Sequence, residues 1–205
     1  MAEVPATPNL VLASSSPRRK ALLRKAGLVF RAVDPPIREP GRLPNRLTPP
    51  QQAEALAYFK AKAVRDMVDD PYVLGADTIV ALGEAILGKA ADEAEARRML
   101  GRLSGSRHQV ITGVALLRRD GARLIASEIT HVTMRPMRRE ELDAYIASGE
   151  WIGKAGAYAI QETGDRFVEL VEGSFSNVVG LPTELVRRML EELRRQPEAN
   201  RARRQ

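Results

Sequence analysis

Apolar and polar positions along this chain fall into blocks that predict strands and helices in turn, the pattern of an α/β protein. The apolar run Leu10 to Ala13 reads as a strand, and Arg18 to Ala26 as a helix. Ser16 suits the cap of that helix, Pro17 its first position and Gly27 its C-terminal stop. Phe30 to Val33 reads as a second strand. A loop rich in Pro, Gly and Asn follows from Pro35 to Pro50, too polar and too broken to be core. Thr48 caps the next helix, with Pro49 and Pro50 in its first turn and Gln51 at the capping-box position. This helix is expected to run to about Met67, with Leu56, Phe59, Ala63 and Met67 on its core face.

Tyr72 to Ala76 and Ile79 to Leu82 form an almost continuous apolar strand, and Gly83-Glu84 turns it into Ala85 to Leu87. Asp92 with Glu95 resembles a capping box for a helix ending near Leu103, before Gly105. His108 to Leu117 and Arg123 to Met134 read as strands joined by Asp120-Gly121, a strong hairpin signal. Glu140 to Ala147 is a short helix closed by Gly149. Tyr158 to Gln161 and Phe167 to Val171 are expected to be short strands. Ser174 to Pro182 is expected to hold a polar turn and a short strand before a final amphipathic helix, Thr183 to Arg195.

At 205 residues and 44% hydrophobic content, the chain suits one domain, or two lobes sharing a core. It has no cysteine, which excludes disulfides, thiolate nucleophiles and Cys-based zinc sites. No apolar run approaches the roughly 20 residues of a membrane span, and Met1 to Pro5 shows no secretory signal, so a cytoplasmic location is expected. The net charge of +6 points toward nucleic acid until its distribution is read. Arg187 to Gln205 holds seven arginines and three glutamates, so +4 of it lies at that end. A basic, flexible tail over 196–205 is the expectation, not a nucleic-acid arm.

The segment Leu12-Ala13-Ser14-Ser15-Ser16-Pro17-Arg18-Arg19 has the chemistry of a phosphate grip. A strand runs through serines into a helix whose first turn carries two arginines. Cations there oppose the helix dipole, and an anion at that end removes the conflict; a capped helix with solvated arginines is the plainer alternative. Asp77 interrupts a buried strand, where a lone carboxylate costs several kcal/mol unless it is paired, hydrogen-bonded or metal-bound. It reads as a metal-binding carboxylate or general base at the mouth of the sheet, or as a strand-end acid bonded to backbone. Lys89, beyond the hairpin, returns to the side of Asp77 if the two arms pair. Lys60 and Lys89 are possible phosphate contacts, and each alone also reads as a surface lysine. Glu39 is a single loop carboxylate. Gln161, after the small-residue segment Gly153 to Tyr158, offers the donor and acceptor that reading a base edge requires. His108 and His131 lie on strands and read as structural. No Walker P-loop and no G-x-S-x-G is present.

Together these segments resemble the Maf family of nucleoside triphosphate pyrophosphatases. The carrying residues are Leu12 to Arg19, Gly75-Ala76-Asp77-Thr78-Ile79-Val80, Gly88-Lys89, Leu103-Ser104-Gly105 with His108, Thr112-Gly113-Val114, Gly153 to Gln161, and Ser176 to Pro182. The match spans about residues 9 to 190 in order. The resemblance implies a single α/β domain with a mixed twisted sheet, flanking helices and two lobes around a deep cleft. It implies hydrolysis of a nucleoside triphosphate substrate between the α and β phosphates, with Mg²⁺ or Mn²⁺ as a divalent cofactor. Asp77 matches the family's proton acceptor, while Ser14, Arg18, Arg19, Lys60 and Lys89 match phosphate-side residues. Glu39 matches a loop acid that helps Asp77 hold metal. Arg18, Thr78 and Gln161 match the positions that mark the dTTP/UTP branch, although Glu162 stands where the family usually has Gly. A non-catalytic nucleotide-binding regulator of septum formation is the alternative. No nucleic-acid or membrane partner is expected, and a homodimer is possible.

Overall fold

The structure is a computed structural model that describes residues 9–37, 47–160 and 163–197. In chain order it holds β1 (Leu10–Ala13), α1 (Pro17–Lys25), β2 (Arg31–Val33), α2 (Pro49–Arg65), β3 (Tyr72–Leu82), β4 (Ala85–Leu87) and α3 (Glu93–Leu103). Then come β5 (Arg107–Arg118), β6 (Arg123–Met134), α4 (Arg139–Ala147), a short 3-10 turn (Thr163–Phe167), β7 (Val168–Glu172), α5 (Phe175–Val179) and α6 (Thr183–Arg195). Among the described residues no helix is long and apolar enough to cross a membrane.

The strands join one mixed sheet in the order β2-β1-β3-β5-β6-β7, with β4 also bonded to β3. The contacts of β1 with β2 and β3 are parallel, and the remaining pairs are antiparallel. Three long strands, β3, β5 and β6, run through both halves of the sheet. The outer edge of β3 is shared by two short strands. β1 covers it from Tyr72 to Gly75, and β4 covers it from Val80 to Leu82. Among the described residues, no strand pairs with that edge from Ala76 to Ile79. β1 leads directly into Ser14, and β4 leads directly into Gly88 and Lys89. The two chains therefore part at the gap, and Asp77 and Thr78 sit in it.

Alternation along β3 sends Gly75, Asp77 and Ile79 to one face and Ala76, Thr78 and Val80 to the other. α2 covers the first face. Its core stripe differs from the expected one: Phe59 and Met67 are exposed, and the buried positions are Ala53, Ala57, Lys60, Ala61 and Val64. The reason is distance. A Cβ placed on Gly75 would lie 2.2 Å from the carbonyl oxygen of Ala57, and one on Gly113 would lie 2.2 Å from the carbonyl carbon of Ala53. The helix rests on bare sheet backbone, so only small side chains fit between. Its start is as expected, with Thr48 and Gln51 forming a reciprocal capping box behind Pro49.

The opposite face carries two apolar clusters. Leu12, Leu74, Ala76, Val114 and Leu116 pack with Leu23 of α1 and Leu185, Met189 and Leu193 of α6. Val80, Val110 and Val132 pack with Leu100 and Leu103 of α3, Tyr145 of α4 and Phe167. α5 lies between them. It replaces the strand expected in Ser174 to Pro182: Ser174 accepts from Asn177 N as a helix cap, and Gly180 ends the turn at φ 124°. Tyr158 to Ile160 is likewise not a strand. Gly156 and Ala157, at φ 68° and 61°, turn the backbone there, and Gly156 N donates to the carbonyls of Leu87 and Gly88. Gln196 and Pro197, the first residues of the expected tail, are held through their carbonyls by the Arg118 guanidinium.

Candidate active site

A cleft of about 450 Å³ opens at the gap in the β3 edge. The turn after β1 forms one wall. Ser14 Oγ accepts from Ser16 N at 3.2 Å, and Ser16 Oγ accepts from Arg19 N at 3.4 Å, so the serines shape the turn and cap α1. The start of α1, with its partial positive charge, opens on this wall together with Arg18 and Arg19. Lys89 and Lys154 stand across from it, where Lys89 and Ala155 form an isolated bridge. The hairpin arms do pair, and Lys89 does return to the side of Asp77.

Asp77 is buried on the α2 face, and its Oδ1 lies 2.5 Å from Lys60 Nζ, itself buried. Lys60 was expected as a phosphate contact; here its ammonium neutralises the one carboxylate on the described cleft wall. A buried carboxylate without such a partner costs several kcal/mol. Thr78 points to the other face. It accepts from Arg19 Nη2 at 3.1 Å and lies 2.9 Å from Thr112 Oγ1. Arg19 Nε donates to the Gly180 carbonyl at 2.8 Å, which fixes the guanidinium against α5. Among the described residues, five cationic side chains (Arg18, Arg19, Lys60, Lys89 and Lys154) share the wall with one carboxylate. Val80, Val110, Tyr158, Ile160 and Val178 give the lining an apolar part.

The structure brings Ser14, Arg18, Arg19, Lys60, Asp77, Thr78 and Lys89 to this one cleft. Glu39, Gln161 and Glu162 lie outside the described residues. Lys154, Thr112 and Asn177 were not singled out as site residues. Lys154 had a signal in its small-residue setting, whereas Thr112 is placed opposite Thr78 only by the β3–β5 register. Asn177 is fully buried and donates to the Val110 carbonyl and Thr130 Oγ1, which pins α5 to the sheet. His108 is also buried, with Nε2 2.8 Å from the Tyr158 hydroxyl. Burial pushes His108 down to about 4 and raises Tyr158. His131 meets Gln109, away from the cleft lining.

Among the described residues no three His, Cys, Asp or Glu side chains converge as a cation cage. A hard divalent cation that takes other ligands from phosphate oxygens and water needs only one or two protein carboxylates. Asp77, the carboxylate on the described cleft wall, fits that demand.

The model of the family described as "Maf-like protein" matches residues 9–193. A dTTP/UTP pyrophosphatase from Ruminiclostridium cellulolyticum is 47% identical over 187 residues, covering 90% of this chain and 96% of the relative. One from Pelotomaculum thermopropionicum is 44% identical over 182 residues, covering 88% and 94%. Among solved structures, a HAM1 protein from Coxiella burnetii overlaps with a TM-score of 0.49 at 20% identity, covering 89% of this chain and 98% of that one. With almost the whole described chain matched, and with relatives this similar along nearly their full length, the chain belongs to the Maf family.

Proposed function

We propose that this protein hydrolyses dTTP/UTP-type nucleoside triphosphates between the α and β phosphates, releasing the monophosphate and pyrophosphate. The observation that carries the reading is the gap in the β3 edge, which gathers Asp77 and five cationic side chains in one cleft. A triphosphate brings about four negative charges, the kind of ligand that clustered cationic side chains and a helix N-terminus hold. The names of the 44–47% identical relatives support the same activity.

In this reading the β and γ phosphates lie against the start of α1, Arg18, Arg19 and Lys89. Ser14 holds the turn that aims those donors. Asp77, fixed by Lys60, accepts the proton of a water that attacks the α phosphorus. The bond from that phosphorus to the bridging oxygen breaks, and pyrophosphate leaves with its charge neutralised by the same cations. A divalent cation, Mg²⁺ or Mn²⁺, held by Asp77 with Glu39 as a second carboxylate, would supply charge screening and polarisation at the α phosphate. Arg18, Thr78 and Gln161 set the preference among bases. This reading places the protein in the cytoplasm, with its nucleotide substrates.

The test is incubation with Mg²⁺ and dTTP or UTP, with products separated by phosphorus NMR. Monophosphate and pyrophosphate are expected, and Asp77→Asn should lower kcat about 10²–10⁴-fold. Release of inorganic phosphate, or an unchanged rate in Asp77→Asn, rejects the mechanism. Tight nucleotide binding without turnover would favour a nucleotide sensor.

A further inference from the structure

Beneath the cleft, on the face opposite Lys60, the hydroxyls of Thr78 and Thr112 have one proton each to distribute. Thr112 is fully buried, and its Oγ1 lies 3.2 Å from the Asn177 carbonyl oxygen. A carbonyl only accepts, so the Thr112 proton is committed there. Thr112 then has only lone pairs for Thr78, 2.9 Å away, and in that contact Thr78 donates. The other acceptor within reach of Thr78 is the Gly180 carbonyl at 3.4 Å, again part of the protein wall. Arg19 Nη2 can only donate, and it takes one lone pair of Thr78 at 3.1 Å. By either route the Thr78 proton points into the protein. What Thr78 offers the cleft is a lone pair.

We propose that Thr112 is a positioning residue for base choice: by taking the Thr78 proton it makes Thr78 a hydrogen-bond acceptor toward the ligand, so the group seated there is a donor, the ring imide N–H of a uracil- or thymine-type base. Thr78 stands where the cationic wall meets Val80, Val110 and Val178, an apolar surface suited to a flat ring. The choice of a nucleotide ligand rests on the pyrophosphatase reading; the direction of the Thr78 proton does not. Cytosine makes the natural contrast, because its ring N3 is an acceptor in a ring of the same size and would face Thr78 lone pair to lone pair.

The experiment is titration calorimetry of the full chain with UMP, CMP and 3-methyl-UMP. No arm requires cleavage, so failure of the pyrophosphatase reading shows separately as absence of turnover. The wild type should bind UMP about tenfold tighter than either CMP or 3-methyl-UMP, the scale of one hydrogen bond against one unpaired polar group. Thr112→Val leaves the Thr78 proton only the long 3.4 Å contact to the Gly180 carbonyl, too weak to hold it against an acceptor in the cleft, so the UMP/CMP ratio should fall toward one, largely by a gain for CMP. Thr112→Ser should restore it. A merely structural role for Thr112 would weaken all three ligands alike. Equal binding of UMP and 3-methyl-UMP by the wild type overturns the proposal, even if Thr112→Val fails to fold. An unchanged UMP/CMP ratio in a folded Thr112→Val protein overturns it too.

Discussion

Asp77 and Thr78 are neighbours in sequence, yet they belong to opposite faces of the sheet, and the two faces handle polarity differently. On the α2 side a full charge is buried against Lys60 among alanines and glycines. On the α5 side Arg19 donates to Thr78 from the cleft wall, and the chain beneath it is made of neutral groups: Thr78, Thr112, Thr130 and Asn177 share single protons over 2.9–3.2 Å. A buried charge needs a counter-charge held at short range, which a helix seated on bare backbone provides. A buried hydroxyl needs only a consistent direction for its proton, which two strands in register and a capped helix provide. In the proposed reading, polarity that reacts and polarity that selects are kept on separate faces and meet at the gap.

The hardest way to break this contrast is to remove the counter-charge. Lys60→Met leaves the Asp77 carboxylate buried beside methylenes, and stability in urea at neutral pH should fall by about 3–5 kcal/mol. Adding Asp77→Asn should recover most of the loss, because the pair then contains no charge. Single losses that simply add in the double variant would show that Asp77 draws its compensation from elsewhere in the cleft.

The neutral face should be sensitive to acid at His108. Its folded-state value of about 4 lies below the ordinary 6.5 because burial disfavours the imidazolium. The unfolded chain therefore takes up the proton first as pH falls. The stability carried by the neutral ring is complete above about 6.5 and is lost by about 4, roughly 3 kcal/mol in all. His108→Phe keeps the ring and removes the titration. It should lower stability at pH 7, since the Tyr158 hydroxyl loses its contact with Nε2, yet lose less than the wild type between pH 7 and pH 4.5. Parallel losses in the two proteins would assign the acid sensitivity to carboxylates such as Glu184, whose value is lowered chiefly by its backbone hydrogen bond.

What could be read from the chain follows the range of the interactions. The Thr48 capping box, the Asp92 cap and the Asp120-Gly121 hairpin depend on residues within four positions of each other, and each forms. Asp77 stood out because a carboxylate in an apolar strand demands a partner. That the partner is Lys60 depends on a helix docking that spacing alone does not give. The stripe Leu56, Phe59, Ala63 and Met67 misled because periodicity weighs hydrophobicity, whereas the contact under α2 is decided by size. Val178 and Val179 suggested a strand because β-branched residues favour one, but the Ser174 cap and the Gly180 stop made a helix. The proton chain from Thr78 to Asn177 links residues up to 65 positions apart and becomes visible only once β3, β5 and α5 are assembled.

The size argument gives the gentlest of these tests. Gly113 lies on β5 with an ordinary strand backbone, so alanine there carries no conformational penalty of its own. The added Cβ would nonetheless meet Ala53 and Glu54 backbone atoms at 2.2–2.4 Å, and backbone cannot swing aside as a side chain can. α2 must lift, and Lys60 lifts with it. Gly113→Ala should therefore cost about 1–3 kcal/mol by overpacking and, through the moved ammonium, reduce kcat more than it changes KM. Adding Ala53→Gly should not rescue it, because the clash is with the Ala53 carbonyl and not with its methyl group. A rescued double variant would mean that side-chain volume, and not backbone contact, sets the height of the helix above the sheet.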